Sequence, residues 1–297
     1  MKIVYLHGWA FSPGIWKRAN CGLSECTPVD SSAAPVKLKF KKAEDAEAYH
    51  SKDRSCVCTS ECASGFHNVY CPDLYAFKPP FNFENIARQL YGELKSSGED
   101  IVLVGWSMGG NIALELYQNY DLPIKGLVLI SSTPKFMSID NYDYGVSPGL
   151  CRSLRRRLVN NPYDTLRFFR TLLFPQDSWG DDITDSGIIL RLTGVTGQAR
   201  IPQEALLESL DELYKADYRK LLPNITVPTL IIHGQDDRVC PVESAEYLYY
   251  SIPDSQLSVL KEAGHMPFIT QSEQFQELMN EFIRRCQVSD RLRLHFF

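Results

Sequence analysis

The 297-residue chain lacks any apolar stretch near the roughly 20 residues that cross a bilayer, and its first strand-like run, Ile3-Val4-Tyr5-Leu6, is cut short by His7-Gly8. The sequence therefore predicts neither a membrane anchor nor a signal peptide. A surplus of positive charge is also missing. Thirty-one Lys and Arg stand against 36 Asp and Glu, a formal net charge of −5, which argues against wholesale binding to nucleic acid or anionic membrane. Internal repeats are absent, and 44% hydrophobic against 23% charged residues lies far from a disordered composition, so a sizeable core can be buried. Paired C-x2-C knuckles are missing too, although six of the nine cysteines fall between Cys21 and Cys71. With no export signal, the cysteines predict a reducing compartment and cytoplasmic residence.

What is present is an alternation of strand-like and helix-like segments. Lys2–Leu6, His67–Cys71, Ile101–Gly105, Lys125–Ile130, Thr229–His233 and, more weakly, Gln256–Leu260 read as strands. A short helix begins at Ile15, and longer ones cover Asn85–Lys95 and Asn111–Tyr120. Runs that are apolar throughout and alternate with helices predict an α/β protein with a mostly parallel central sheet covered on both faces. Two segments interrupt the alternation. About Cys21 to Ser64 has no sustained period and reads as a loose Cys-rich insertion. Its Cys56, Cys58 and Cys62, flanked by Cys21, Cys26 and Cys71, could offer thiolates to a structural zinc, but without paired knuckles the expectation is no metal. Thr133–Leu222 is mostly helical and reads as a cap, leaving a core of residues 1–132 and 223–297.

The chemistry sits in the loops. Gly105-Trp106-Ser107-Met108-Gly109 matches G-x-S-x-G, follows an apolar strand and opens a helix, the setting in which a tight turn exposes a strained serine. Side chains at Gly105 and Gly109 would collide with the neighbouring strand and helix. A serine hydroxyl needs a base, and the base needs a carboxylate to orient it. Both come in order: Gly234-Gln235-Asp236-Asp237 after one strand, Ala263-Gly264-His265 after the next. Ser, Asp, His is the order of α/β-hydrolases. Their G-x-x-D spacing favours Asp237 as the acid, with Asp236 as the alternative. The histidines at 50, 67, 233 and 295 have no such context and read as structural or surface residues. Acyl transfer also needs two N–H donors for the developing oxyanion, assigned to the backbones of Trp9 and Met108. No metal or organic cofactor is required.

Leu6-His7-Gly8-Trp9, Val104-Gly105-Trp106-Ser107-Met108-Gly109-Gly110 and Gly264-His265-Met266-Pro267-Phe268-Ile269 together resemble the methyl ester esterases that act on pimeloyl-acyl carrier protein in biotin synthesis. That family has the α/β-hydrolase fold with a helical cap inserted between core strands. The resemblance implies a serine carboxylesterase for a medium-chain acyl methyl ester. It implies that Trp9, Ser107 and Met108 border the acyl group, and that Phe168, Phe169, Arg170, Thr171 and Leu172 close over it. The chain departs from the family in starting directly at the oxyanion-loop strand and in carrying the Cys-rich insertion. Alternatives within the fold are a thioesterase or another small-metabolite hydrolase, and outside catalysis a binding module that kept the fold.

Cys151–Arg170 holds six arginines against the single acid Asp164, a local balance of +5. Arg152, Arg155 and Arg156 share one helical face by i, i+3, i+4 spacing. A solvated helix face is the plain explanation. By the resemblance, the same face would dock an acidic acyl carrier protein that presents the substrate.

Overall fold

The computed structural model describes residues 1–16, 55–58, 68–175 and 201–293. Its sheet grows from the apolar runs. In chain order the strands are β1 (Lys2–Leu6), β2 (Ser55–Cys58), β3 (Asn68–Pro72), β4 (Ile101–Trp106), β5 (Ile124–Ile130), β6 (Thr229–Gly234) and β7 (Ser255–Leu260). They lie side by side as β2-β3-β1-β4-β5-β6-β7. The pairings from β3 through β7 are all parallel, and only β2 runs antiparallel, on the β3 edge. Every residue of β4 and of β6 is buried, as uninterrupted apolar runs in a two-faced parallel sheet must be.

Helices cover the faces. In α1 (Phe83–Leu94) the buried Phe83, Ile86, Ala87, Leu90 and Leu94 recur at helical spacing, and the Asn82 side chain caps the first turn by accepting from the Asn85 N–H. This helix packs on α2 (Met108–Asn119). Between β5 and β6 stand α3 (Pro148–Asn160), α4 (Pro162–Thr171) and α5 (Gln203–Lys215). After β6 come α6 (Val242–Ser251), α7 (Pro267–Thr270) and α8 (Ser272–Arg293). No helix among the described residues is long and apolar enough to cross a membrane.

Two expectations need correction. The span Cys21–Ser64 is not loose throughout, because Ser55–Cys58 forms β2 with Cys56 opposite Cys71. Four residues are too few to show a period, and strand formation there is imposed by the open edge of β3. The other residues of that span, with Cys21, Cys26, Cys62, His50, His67 and His295, lie outside the described residues. The helix expected from Asn111 instead begins at Met108, since the turn at Ser107 passes straight into α2.

Because its strands are parallel, the sheet sends the loops after β1, β4, β6 and β7 out at the same edge, where ligands of open α/β sheets bind. Leu6 pairs with Gly105, so the segments His7–Ala10 and Ser107–Gly109 leave the sheet as neighbours.

Candidate active site

Ser107 occupies a conformation that disfavours any side chain, φ 53° and ψ −119°. Its N–H donates to the Ile130 carbonyl (2.9 Å), and its own carbonyl accepts from the Gly110 N–H (2.9 Å) and the Ser132 hydroxyl (3.0 Å). These contacts hold a backbone strain of order 1–3 kcal/mol in place. Packing explains the flanking glycines. A Cβ on Gly105 would lie 2.5 Å from the Gly109 backbone, and one on Gly109 would lie 2.1 Å from the Leu6 carbonyl oxygen. Neither neighbour can yield, as both are main chain.

The loops after β6 and β7 are stitched together by Gln235 N–H to the Leu260 carbonyl and Asp236 N–H to the Ala263 carbonyl, both 2.9 Å. That stitching brings Asp237 to His265. Nδ1 of His265 lies 2.8 Å from Oδ2 of Asp237, and both side chains are buried. The carboxylate fixes the proton on Nδ1 and leaves Nε2 as an acceptor. Nε2 is buried without a hydrogen-bond partner among the described residues, the Ser107 hydroxyl included. The His265 carbonyl accepts from the Trp106 indole N–H (2.8 Å), which anchors the base to the residue beside the serine.

Asp237 is held on its other oxygen as well. The Val239 and Cys240 N–H groups donate to Oδ1 at 2.8 and 2.9 Å. Burial opposes its ionisation, but the facing charge of His265 and the hydrogen bonds from His233 and His265 outweigh it, holding the carboxyl well below the usual carboxylate range. Asp236 is exposed and makes no such contact. One member of this cluster is not evident from sequence. His233, which by its sequence context reads as a structural or surface residue, is fully buried with Nε2 3.2 Å from Oδ2 of Asp237. Its only signal in the sequence is its place at the last but one position of a buried strand, four residues before the acid.

Met108 is the first residue of α2, where N–H groups have no intrahelical acceptor. Trp9 is buried; its indole N–H donates to the Leu206 carbonyl of α5 (3.0 Å), and its ring meets Phe169 of α4 edge-on at 5.1 Å. The Ala10 N–H donates to the Tyr75 hydroxyl, which also meets the Ser209 hydroxyl of α5, each at 3.2 Å. His7 bonds to the Gly8 carbonyl through Nδ1 and accepts the Leu74 N–H at Nε2, both 3.0 Å.

The aromatic stretch of α4 divides. Phe169 is buried against Trp9, whereas Phe168 is 47% exposed with the Arg157 guanidinium 5.5 Å over its ring. Adjacent helical residues point about 100° apart, and only one can face inward. Arg170 is half-buried, and burial lowers its guanidinium pKa. The Thr171 carbonyl accepts from Arg238 (3.4 Å), beside the acid, and Leu172 packs on the core.

The arginines of α3 divide too. Arg155 is engaged in a two-pronged ion pair with Asp211 of α5, Nε to Oδ1 at 2.6 Å and Nη2 to Oδ2 at 2.8 Å, so it ties the helices together. Arg152 and Arg156 are exposed. Arg156 and Arg157, with Ser153, Asn160, Asn161 and Thr165, line a groove of about 400 Å³ between α3 and α4.

Residues 3–278 match the model of the alpha/beta hydrolase family. Similar proteins include the pimeloyl-[acyl-carrier protein] methyl ester esterase of Neisseria meningitidis serogroup C, 29% identical over 70% of this chain and 77% of that protein. The same-named protein of Nitrosomonas europaea is 26% identical over 92% of both chains. Among solved structures, an esterase from Exiguobacterium antarcticum superposes with a TM-score of 0.73 at 21% identity, over 96% of this chain and 92% of its own. A bromoperoxidase from Bacillus anthracis gives 0.72 at 20% identity, over 95% and 92%.

Proposed function

We propose that this chain, which belongs to the alpha/beta hydrolase family, is a serine carboxylesterase for a medium-chain acyl methyl ester, in the first place pimeloyl-acyl carrier protein methyl ester. That it is a carboxylic ester hydrolase follows from the family and from relatives named esterases; the substrate is our reading from the names those relatives carry. The observation that carries the mechanism is the buried His265–Asp237 pair, with Nε2 of His265 unpartnered, in the same loop cluster as the strained Ser107.

In this reading Nε2 of His265 takes the Ser107 proton as the hydroxyl oxygen attacks the ester carbonyl, and Asp237 holds the ring in the tautomer that can accept it. The N–H groups of Trp9 and Met108 receive the charge that develops on the carbonyl oxygen. Collapse expels the alcohol, which takes the proton back from His265. Water then attacks the acyl-enzyme with His265 again as base, releasing the acid and restoring Ser107. The serine–histidine hydrogen bond absent from the free site forms when an ester is bound, as is common at such sites.

Residues 133–222 act as the cap over a core of 1–132 and 223–297, with Phe169 closing against Trp9. The exposed Arg152 and Arg156 offer charge to an acidic carrier. The test is mass spectrometry of the purified protein with methyl pimeloyl carrier, free methyl pimelate and a matched acyl thioester. Loss of the methyl group from the carrier-bound ester is expected; preferential cleavage of the thioester would make the protein a thioesterase. Ser107→Ala should abolish turnover and labelling by a fluorophosphonate, a loss on the order of 10⁴-fold or more.

A further inference from the structure

The loop that leaves β6 folds back on the strand's end, and His233 sits inside the fold. Its Nε2 lies 2.9 Å from the Cys240 carbonyl oxygen and 3.2 Å from Oδ2 of Asp237. Both neighbours are acceptors, so the ring carries a proton on Nε2, which donates to the Cys240 carbonyl and has Oδ2 of Asp237 as its longer, second contact. Nδ1 is buried without a partner among the described residues, so nothing on the far side competes for the ring. Asp237 is thereby surrounded by N–H groups, two main-chain donors on Oδ1 and two imidazoles on Oδ2. A carboxylate has about four acceptor positions; three hold hydrogen bonds and the His233 ring stands at the fourth.

We propose that His233 is a positioning residue that acts through Asp237 on His265. Its Nε2–H holds Oδ2 against Nδ1 of His265 and takes up part of the carboxylate's charge. The proposal rests on the reading of Ser107, His265 and Asp237 as the reacting groups. The titratable groups facing the pair are His265 and the Cys240 thiol, and burial together with the Asp237 charge pushes that thiol far up, which keeps it neutral. The loop's other charged residues, Asp236 and Arg238, are exposed. Without the His233 donor, only the two main-chain N–H groups on Oδ1 still share the carboxylate's charge with His265, so more of it falls on that ring, its protonated form is favoured, and the acid limb of kcat/KM moves to higher pH.

The test uses the full chain, with kcat and KM measured from about pH 5 to about pH 9 on a short-chain p-nitrophenyl ester, and the unfolding midpoint of each variant. His233→Leu should lower kcat about 10–100-fold, as loss of a hydrogen bond to a charged group does, with KM within about two-fold and the acid limb displaced upward. His233→Gln, whose amide N–H reaches close to the place of Nε2, should recover most of kcat and return the limb. Equal losses in both variants with an unmoved limb, or no loss in either, would overturn the proposal. Should the leucine variant not fold, His233→Ala is read in the same way, and a site at which no donor-lacking variant folds is structural, which also overturns it. Ser107→Ala runs alongside: turnover surviving there refutes the reading of the reacting groups themselves, whatever His233 does.

Discussion

Asp237→Asn changes one oxygen to an amide nitrogen, and its surroundings decide how the site responds. Oδ1 faces two main-chain N–H groups at 2.8 and 2.9 Å, and Oδ2 faces the nitrogens of two imidazoles at 2.8 and 3.2 Å. Whichever way the amide turns, its NH₂ meets two donors. The main-chain donors cannot change, whereas His265 can move its proton from Nδ1 to Nε2 and accept the amide N–H. The amide nitrogen therefore settles on the histidine side, and Nε2 loses the lone pair that receives the Ser107 proton. In serine hydrolases with this arrangement such a tautomer error costs about 10⁴-fold in kcat, or about 5.5 kcal/mol. His233 still donates toward an amide nitrogen, a lost charge-directed hydrogen bond of about 1.5–3 kcal/mol, so Tm should fall by several degrees. The pH dependence has a definite sign. A carboxyl whose pKa is depressed by folding stabilises the native state above its unfolded value of about 4, and that contribution is lost as pH falls through the folded value. The asparagine variant should lack that part of the acid-side loss. The assay is kcat/KM on a short ester with thermal melts across the acid range, beside Asp236→Asn, which should be near wild type because Asp236 is exposed. A larger loss in Asp236→Asn, or less than about a tenfold loss in Asp237→Asn, would refute the reasoning.

Arg152→Glu with Arg156→Glu should lower kcat/KM for the carrier-bound ester more than for a small ester, with the gap closing at high salt, whereas Arg155→Glu should lower Tm and affect both substrates alike through its ion pair with Asp211. Equal effects from the first pair on both substrates would end the docking idea. Replacing Thr27–Ser60 by a Gly/Ser linker removes β2 and bares the edge of β3, so soluble yield should fall; a linker that stops at residue 52 keeps the strand and should leave small-ester turnover within about a few-fold, since each doubling of loop length adds only about 0.6 kcal/mol. Intact solubility after the longer replacement would show the edge strand to be dispensable.

The residues of the candidate triad are legible in the sequence because the constraints on them are local. A strand that passes through a positive-φ serine straight into a helix leaves no room at the flanking positions, and the 2.5 and 2.1 Å clearances at Gly105 and Gly109 are what the spacing of the glycines already implies. Asp237 is separable from Asp236 by the G-x-x-D offset, and the structure sets only the former against His265. Strands β4 and β6 are legible for a related reason, since burial on both faces forces an unbroken apolar run.

The features that sequence does not reveal depend on pairs far apart in the chain or on how a loop folds back. A histidine ending a buried strand looks like any core histidine until the loop returns its own carboxylate to the ring. Arg155 looks like its exposed neighbours on α3 until Asp211, 56 residues later, is placed beneath it. Strand β2 is defined by its partner rather than by its own four residues. Phe168 and Phe169 are the instructive exception, because the helical period alone says that two adjacent residues cannot both pack on Trp9. Similarity transfers a segment as a whole, while periodicity separates the directions in which its side chains point.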